Sequence, residues 1–212
     1  EIVDFVTGGD VLEELECSHQ RALTFFKESI NSPCPFMAFP CTSEEDFVNN
    51  LCQSCSNGGC GYMGFHADKN IPPAGQLVNY YLFTGDTTPF CRYHFTSTIN
   101  LSAGNWSNQN GDIELLVNGD SSPVNLFFIN GETFTPGTTY QFIMTQEQDF
   151  GNVQSVTLTW ESSADDNDNT IKPNIYLDKI SINRMEANVN TTFCAEGKGI
   201  ASKDTLTITK TC

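Results

Sequence analysis

Nine cysteines constrain this 212-residue chain more than any other feature, and four of them fall between positions 41 and 60. Such density reads as small loops pinned by disulfides in an oxidising compartment. Cys52-x-x-Cys55 has a spacing used for zinc or redox chemistry, but a zinc site needs a second ligand pair, and the nearest histidine is His66. Structural disulfides are therefore expected, with no metal and no cofactor. An odd number cannot pair internally, so one cysteine is expected to find its partner outside this chain. The sequons at Asn100, Asn105 and Asn190 are candidate glycosylation sites and point with the cysteines to a secreted, extracellular protein. Glu1 is not an initiator methionine and no signal peptide is visible, so the chain is expected to be processed.

Two regions differ in hydrophobic period. In the first, Ala22, Leu23, Phe25, Phe26 and Ile30 recur at helical spacing up to Pro33, with Ser18 as the expected N-cap and His19 at the helix entrance. Residues 37–64 read as disulfide-pinned loops around a short helix near 44–50. A stretch at 67–76, with Ile71-Pro72-Pro73-Ala74-Gly75, reads as a semi-rigid linker. Beyond it the period becomes two. Tyr93, Phe95, Ile99 and Leu101 share one parity, interrupted by Ser97; Ile113, Leu115 and Val117 repeat the spacing, as do Val156, Leu158 and Trp160. Turn signals such as Asn130-Gly131 and Pro136-Gly137 separate the runs. Seven or eight short strands of this kind predict an antiparallel β-sandwich over 77–212.

Charge narrows the partners. Ten basic against 26 acidic residues give a formal net charge of −16, a field that repels nucleic acid, polyanions and anionic membranes. Neutral or zwitterionic lipid interfaces stay open. No apolar run approaches the ~20 residues of a membrane span, so no transmembrane segment is expected.

Specific residues carry a family resemblance. Cys17-Ser18-His19-Gln20-Arg21, followed by an aromatic-rich helix, resembles the triad-histidine segment of the pancreatic and lipoprotein lipase family. Phe39-Pro40-Cys41, then Asn50-Leu51-Cys52-Gln53-Ser54-Cys55, Gly58-Gly59-Cys60 and Met63-Gly64, is similar to that family's cysteine block. Tyr81-Leu82-Phe83-Thr84-Gly85 resembles the first strand of its PLAT sandwich, and Phe193-Cys194 with Thr211-Cys212 resembles the closing disulfide. The resemblance runs over essentially the whole chain but covers only the C-terminal half of such a lipase. It implies an α+β chain: the end of an α/β-hydrolase domain over 1–66, the 67–76 linker, and a PLAT-like β-sandwich over 77–212.

The resemblance also implies the pairs Cys41–Cys52, Cys55–Cys60 and Cys194–Cys212. Closing the first loop is worth roughly 2–3 kcal/mol on the chain-entropy model. Cys34 and Cys91 have no clear counterpart; they pair together or link elsewhere. Cys17 resembles the second cysteine of the lid disulfide, with its partner upstream, and 1–16 resembles half of an amphipathic lid. His19 would be the general base of a Ser-Asp-His triad, taking the serine proton and returning it to the leaving alcohol. Serine and aspartate precede histidine in α/β-hydrolases, so both would lie on an N-terminal lipase fragment joined through Cys17 and domain packing. The implied chemistry is hydrolysis of a glycerolipid ester, with lipid as substrate or interface.

The remaining candidates read as ordinary. His66 and His94 are expected to be polar or partly buried residues without catalytic duty. Asp165, Asp166 and Asp168 lack the glycine and distal glutamate of a calcium loop and read as a solvated turn. Trp160 is expected in the core. With Trp106 it stands alone where lipoprotein lipases have a tryptophan-rich, lipid-contacting loop, and no basic heparin-binding face is present, which weakens the case for lipoprotein docking. Two rival readings remain: a catalytically silent lipase-like protein used for storage, lipid carriage or binding, and a PLAT sandwich acting alone as a docking module.

Overall fold

The computed structural model describes residues 11–49, 51–52, 55, 59–121, 125–164 and 173–212, with 11–18, 125 and 126 through their secondary structure alone. Residues 1–10 of the expected lid segment and the acidic stretch 165–169 lie outside the described residues. The chain forms two compact units, Glu1–Tyr93 and His94–Cys212.

The first unit is built on the helix α1 (Val11–Asn31). It stops just short of Pro33, whose ring disfavours helical backbone at the preceding residue. Its start lies well before Ser18, so Ser18 is an interior residue and not the N-cap, and His19 sits within the helix and not at its entrance. The strand β1 (Met37–Pro40) pairs on one side with β2 (Gly61–Tyr62) and on the other with β3 (Tyr80–Tyr81), making a three-stranded antiparallel sheet. Residues 37–64, read as loops, thus contain two short strands. The pattern hides them because β1 is buried along Met37-Ala38-Phe39 on both faces and shows no alternation. Between them α2 (Glu44–Val48) is capped by Ser43, whose Oγ accepts the Asp46 N–H at 3.1 Å. A 3-10 turn at Gly64–Lys69 follows β2.

Tyr80 and Tyr81 pair with Pro40 and Phe39, so this segment completes the sheet of the first unit and does not open the sandwich. The division between units falls at Tyr93, beyond the linker expected at 67–76. Cross-strand pairing and a Cys34–Cys91 disulfide outweigh the prolines in deciding where residues 77–93 belong.

Among the described residues the second unit is an eight-stranded antiparallel sandwich. Its strands are β4 (Tyr93–Leu101), β5 (Gln109–Gly119), β6 (Asn125–Phe134), β7 (Thr139–Gln146), β8 (Val153–Ser162), β9 (Asn174–Arg184), β10 (Val189–Ala201) and β11 (Thr205–Ile208). One sheet runs β10-β9-β4-β7 and the other β11-β8-β5-β6. The period-two runs face inward: Ile113 pairs with Trp160, Leu115 with Leu158 and Val117 with Val156, all buried. Trp160 packs edge-on to Phe134 and donates its indole N–H to the Pro173 carbonyl at 3.3 Å. Gly119 lies so close to the Phe150 carbonyl that any Cβ there would overlap it.

Candidate functional site

Helix α1 has two unlike faces. Residues 21, 25 and 28 recur at helical spacing and turn toward the first unit. The Arg21 Nη2 donates to the Asp86 carbonyl at 3.0 Å, and its guanidinium stands 5.3 Å above the Phe90 ring. Phe25 meets Phe90 edge-on, with centroids 5.0 Å apart. The Glu28 carboxylate accepts the N–H groups of Phe90 at 3.1 Å and Cys91 at 2.9 Å. Cys91 is bonded to Cys34, and its Sγ accepts the N–H of buried Phe36, which holds a left-handed φ of 48°.

His19, Leu23, Phe26 and Ile30 share the opposite face, because each lies two residues, or about 200° of helical rotation, from a member of the first set. His19 is exposed. Leu23 is 71% exposed, Phe26 48% and Ile30 38%, so the apolar residues here form an uncovered stripe. Phe65, 53% exposed, extends it edge-on to Phe26 at 6.2 Å. That ring is placed by buried Ser29, whose Oγ donates to the Phe26 carbonyl at 2.7 Å and accepts the Phe65 N–H at 2.8 Å. Gly64, at φ 85°, lets the turn come this close, since a Cβ there would overlap Ser29. The helix thus displays an imidazole at one end of an apolar stripe, held from behind by hydrogen bonds and a disulfide. The five apolar residues read as one face are split: Phe25 turns to the Cys34–Cys91 cluster, while Leu23, Phe26 and Ile30 do not.

The disulfides are Cys34–Cys91, Cys41–Cys52, Cys55–Cys60 and Cys194–Cys212. They take eight of the nine cysteines; the Cys17 side chain lies outside the described residues. Cys52 and Cys55 belong to different bridges. Among the described residues no cluster of three or more His, Cys, Asp or Glu could hold a metal ion.

The other histidines differ in setting. His66 is half-buried in the 3-10 turn beside Phe65. His94, expected to be polar or partly buried, is fully buried on β4 and forms a hydrogen-bonded contact with a carboxylate that the sequence did not announce. Its Nδ1 lies 2.8 Å from the Glu186 carboxylate, which also accepts the His94 backbone N–H at 2.9 Å. Glu186 belongs to the 185–188 turn joining β9 to β10, a contact across 92 residues that no local pattern encodes. Of the sequons, Asn105 and Asn190 are exposed, while Asn100 is half-buried with its Nδ2 donating to Thr139 Oγ1 at 2.6 Å.

Comparison with known proteins agrees with this division. Residues 1–90 match the Lipase family model and residues 98–209 match the PLAT/LH2 domain. The chain is 28% identical over 181 residues to the inactive pancreatic lipase-related protein 1 of Canis lupus familiaris, covering 85% of this chain and 38% of that protein. It is 33% identical over 150 residues to pancreatic lipase-related protein 3 of Homo sapiens, covering 69% and 31%. To the pancreatic triacylglycerol lipase of Mus musculus it is 28% identical over 181 residues, covering 85% and 37%. The chain therefore spans less than two fifths of the length of these relatives. With a lipase-domain segment leading into a PLAT sandwich, the chain belongs to the pancreatic lipase family and corresponds to its C-terminal portion.

Proposed function

We propose that this chain is part of a secreted lipase that hydrolyses glycerolipid esters, with His19 as general base and the serine and aspartate supplied by an N-terminal lipase fragment. The observation that carries the reading is the outer face of α1, where His19 heads an uncovered stripe of Leu23, Phe26 and Ile30 inside the segment matched to lipases. Apolar side chains in a contiguous stripe favour a covering partner. A histidine on that face would be carried to the junction where a nucleophile could meet it.

Cys17, six residues before Leu23, is the proposed covalent link, supported by the closure of the other eight cysteines among themselves. Four disulfides also support an extracellular compartment. No described helix is long and apolar enough to cross a membrane.

A second reading has its own support: relatives from dog and human are both named inactive pancreatic lipase-related protein 1. On that reading the scaffold persists for storage, lipid carriage or binding. Non-reducing peptide mapping around Cys17, followed by sequencing of whatever is bonded to it, separates the two. A partner carrying Gly-x-Ser-x-Gly supports the enzyme. A partner with another residue at the serine position supports the silent protein, and a Cys17 with no partner sinks the two-fragment arrangement.

A further inference from the structure

The outer side of the β10-β9-β4-β7 sheet carries a recess of about 420 Å³ that neither the lipase chemistry nor the fold requires. Its floor is aromatic. Trp106, in the loop between β4 and β5, donates its indole N–H to the Ser102 carbonyl at 3.0 Å, which fixes the ring. The Trp106 and Tyr176 rings lie 5.9 Å apart at 48°. Tyr176 in turn lies across Gly199 of β10, where even a methyl group would approach its ring to 3.0 Å.

The rim is acidic. Asp178 accepts a hydrogen bond from Ser102 Oγ. Glu196 and Gly197 both have positive φ, 56° and 77°, where the pairing of β10 with β9 shifts register between Cys194 and Lys198. This bulge brings Glu196 to the recess.

Asn105 is exposed and lines the same recess, and Asn105-Trp106-Ser107 is a glycosylation sequon. A pyranose ring has an apolar C–H face and a rim of hydroxyl donors. The first suits an aromatic floor and the second suits carboxylate acceptors. We propose that Asn105 carries an N-linked glycan whose proximal sugars occupy this recess, stacked on Trp106 and Tyr176 with hydroxyls directed to Asp178 and Glu196. The other sequons lack this setting. Asn100 lies on β4 between two paired strands with its amide donated to Thr139, and Asn190, although exposed, is not part of the recess.

The proposal rests on the secreted reading, and its test separates the two. The chain is produced through a eukaryotic secretory host, occupancy of each sequon is read by peptide mass, and oxidation of Trp106 by N-bromosuccinimide is timed before and after enzymatic removal of the glycan. The expected result is a glycan on Asn105, none on Asn100, and several-fold slower oxidation of Trp106 until the glycan is removed. Ser107→Ala, which deletes the sequon and leaves both rings, should oxidise at the deglycosylated rate. Equal oxidation with and without the glycan overturns the docking. A glycan on Asn190 with Asn105 bare overturns the site, and three empty sequons overturn the glycan altogether; the secreted reading falls separately, if the four disulfides are found reduced in the native protein.

Discussion

Ser97 faces the sandwich core between Phe95 and Ile99, fully buried, and its hydroxyl has no hydrogen-bond partner among the described residues. An unpaired buried hydroxyl keeps its desolvation cost without compensation. Ser97→Ala is therefore expected to raise stability by about 1 kcal/mol in chemical denaturation; a loss would mean that the hydroxyl is satisfied. Glu186 is the opposite case, because it serves both the ring and the backbone of buried His94. Glu186→Ala should cost about 2 kcal/mol by leaving those donors unpaired. At the surface, the Asp120 carboxyl is held below the usual carboxylate range, chiefly by the side-chain amide of Asn152 and also by its backbone N–H and the Ser121 hydroxyl. A lowered folded-state pKa means that the unfolded chain takes up the proton first. The stability from this contact is thus complete above about pH 4 and is lost as pH falls through the lowered value. Asp120→Asn should flatten that acid limb, and an unchanged limb would show that Asp120 does not contribute to it.

At the scale of elements, α1 is held on its inner face by Arg21, Phe25 and Glu28 and beside the 3-10 turn by Ser29 and the Phe26–Phe65 ring contact. The Cys34–Cys91 bridge spans 57 residues, against five for Cys55–Cys60. Chain entropy then assigns about 4 kcal/mol to the first bridge and about 2 kcal/mol to the second. Replacing both cysteines of the long bridge by serine should lower the stability of the first unit about twice as far, in kcal/mol, as the same change at the short one, by urea titration. Equal effects would show that loop length does not govern. The sequence disclosed these elements unevenly. Period two exposes the sandwich strands because one face is buried and the other is not. The same logic fails for β1, which is covered on both sides, and for β3, which is two residues long. The helix was legible, but its faces were not: Phe25 and Phe26 are adjacent, so about 100° separates them and they cannot serve one surface. Only the contacts of Arg21 and Glu28 show which side is inward.

For the molecule as a whole, the sequence carried the lipase resemblance through local motifs, whereas the His94–Glu186 pair and the recess beside Asn105 depend on contacts between distant strands. The uncovered stripe on α1 has a consequence that stability alone reveals. Leu23→Gln should change the unfolding free energy of this chain by no more than about 0.5 kcal/mol, as exposed sites do. In the proposed covalent assembly the same change should cost well over that. Equal, small effects in both settings would leave the stripe without a covering partner. The most direct measurement of the functional account is ester hydrolysis, on emulsified triacylglycerol and on phospholipid, by the proposed disulfide-linked assembly and its His19→Ala variant. With His19 as general base, the variant should lose at least about 10⁴-fold in kcat while remaining folded. A variant as active as the parent, or a parent with no activity to lose, would contradict the assignment of His19 as the base of a working lipase.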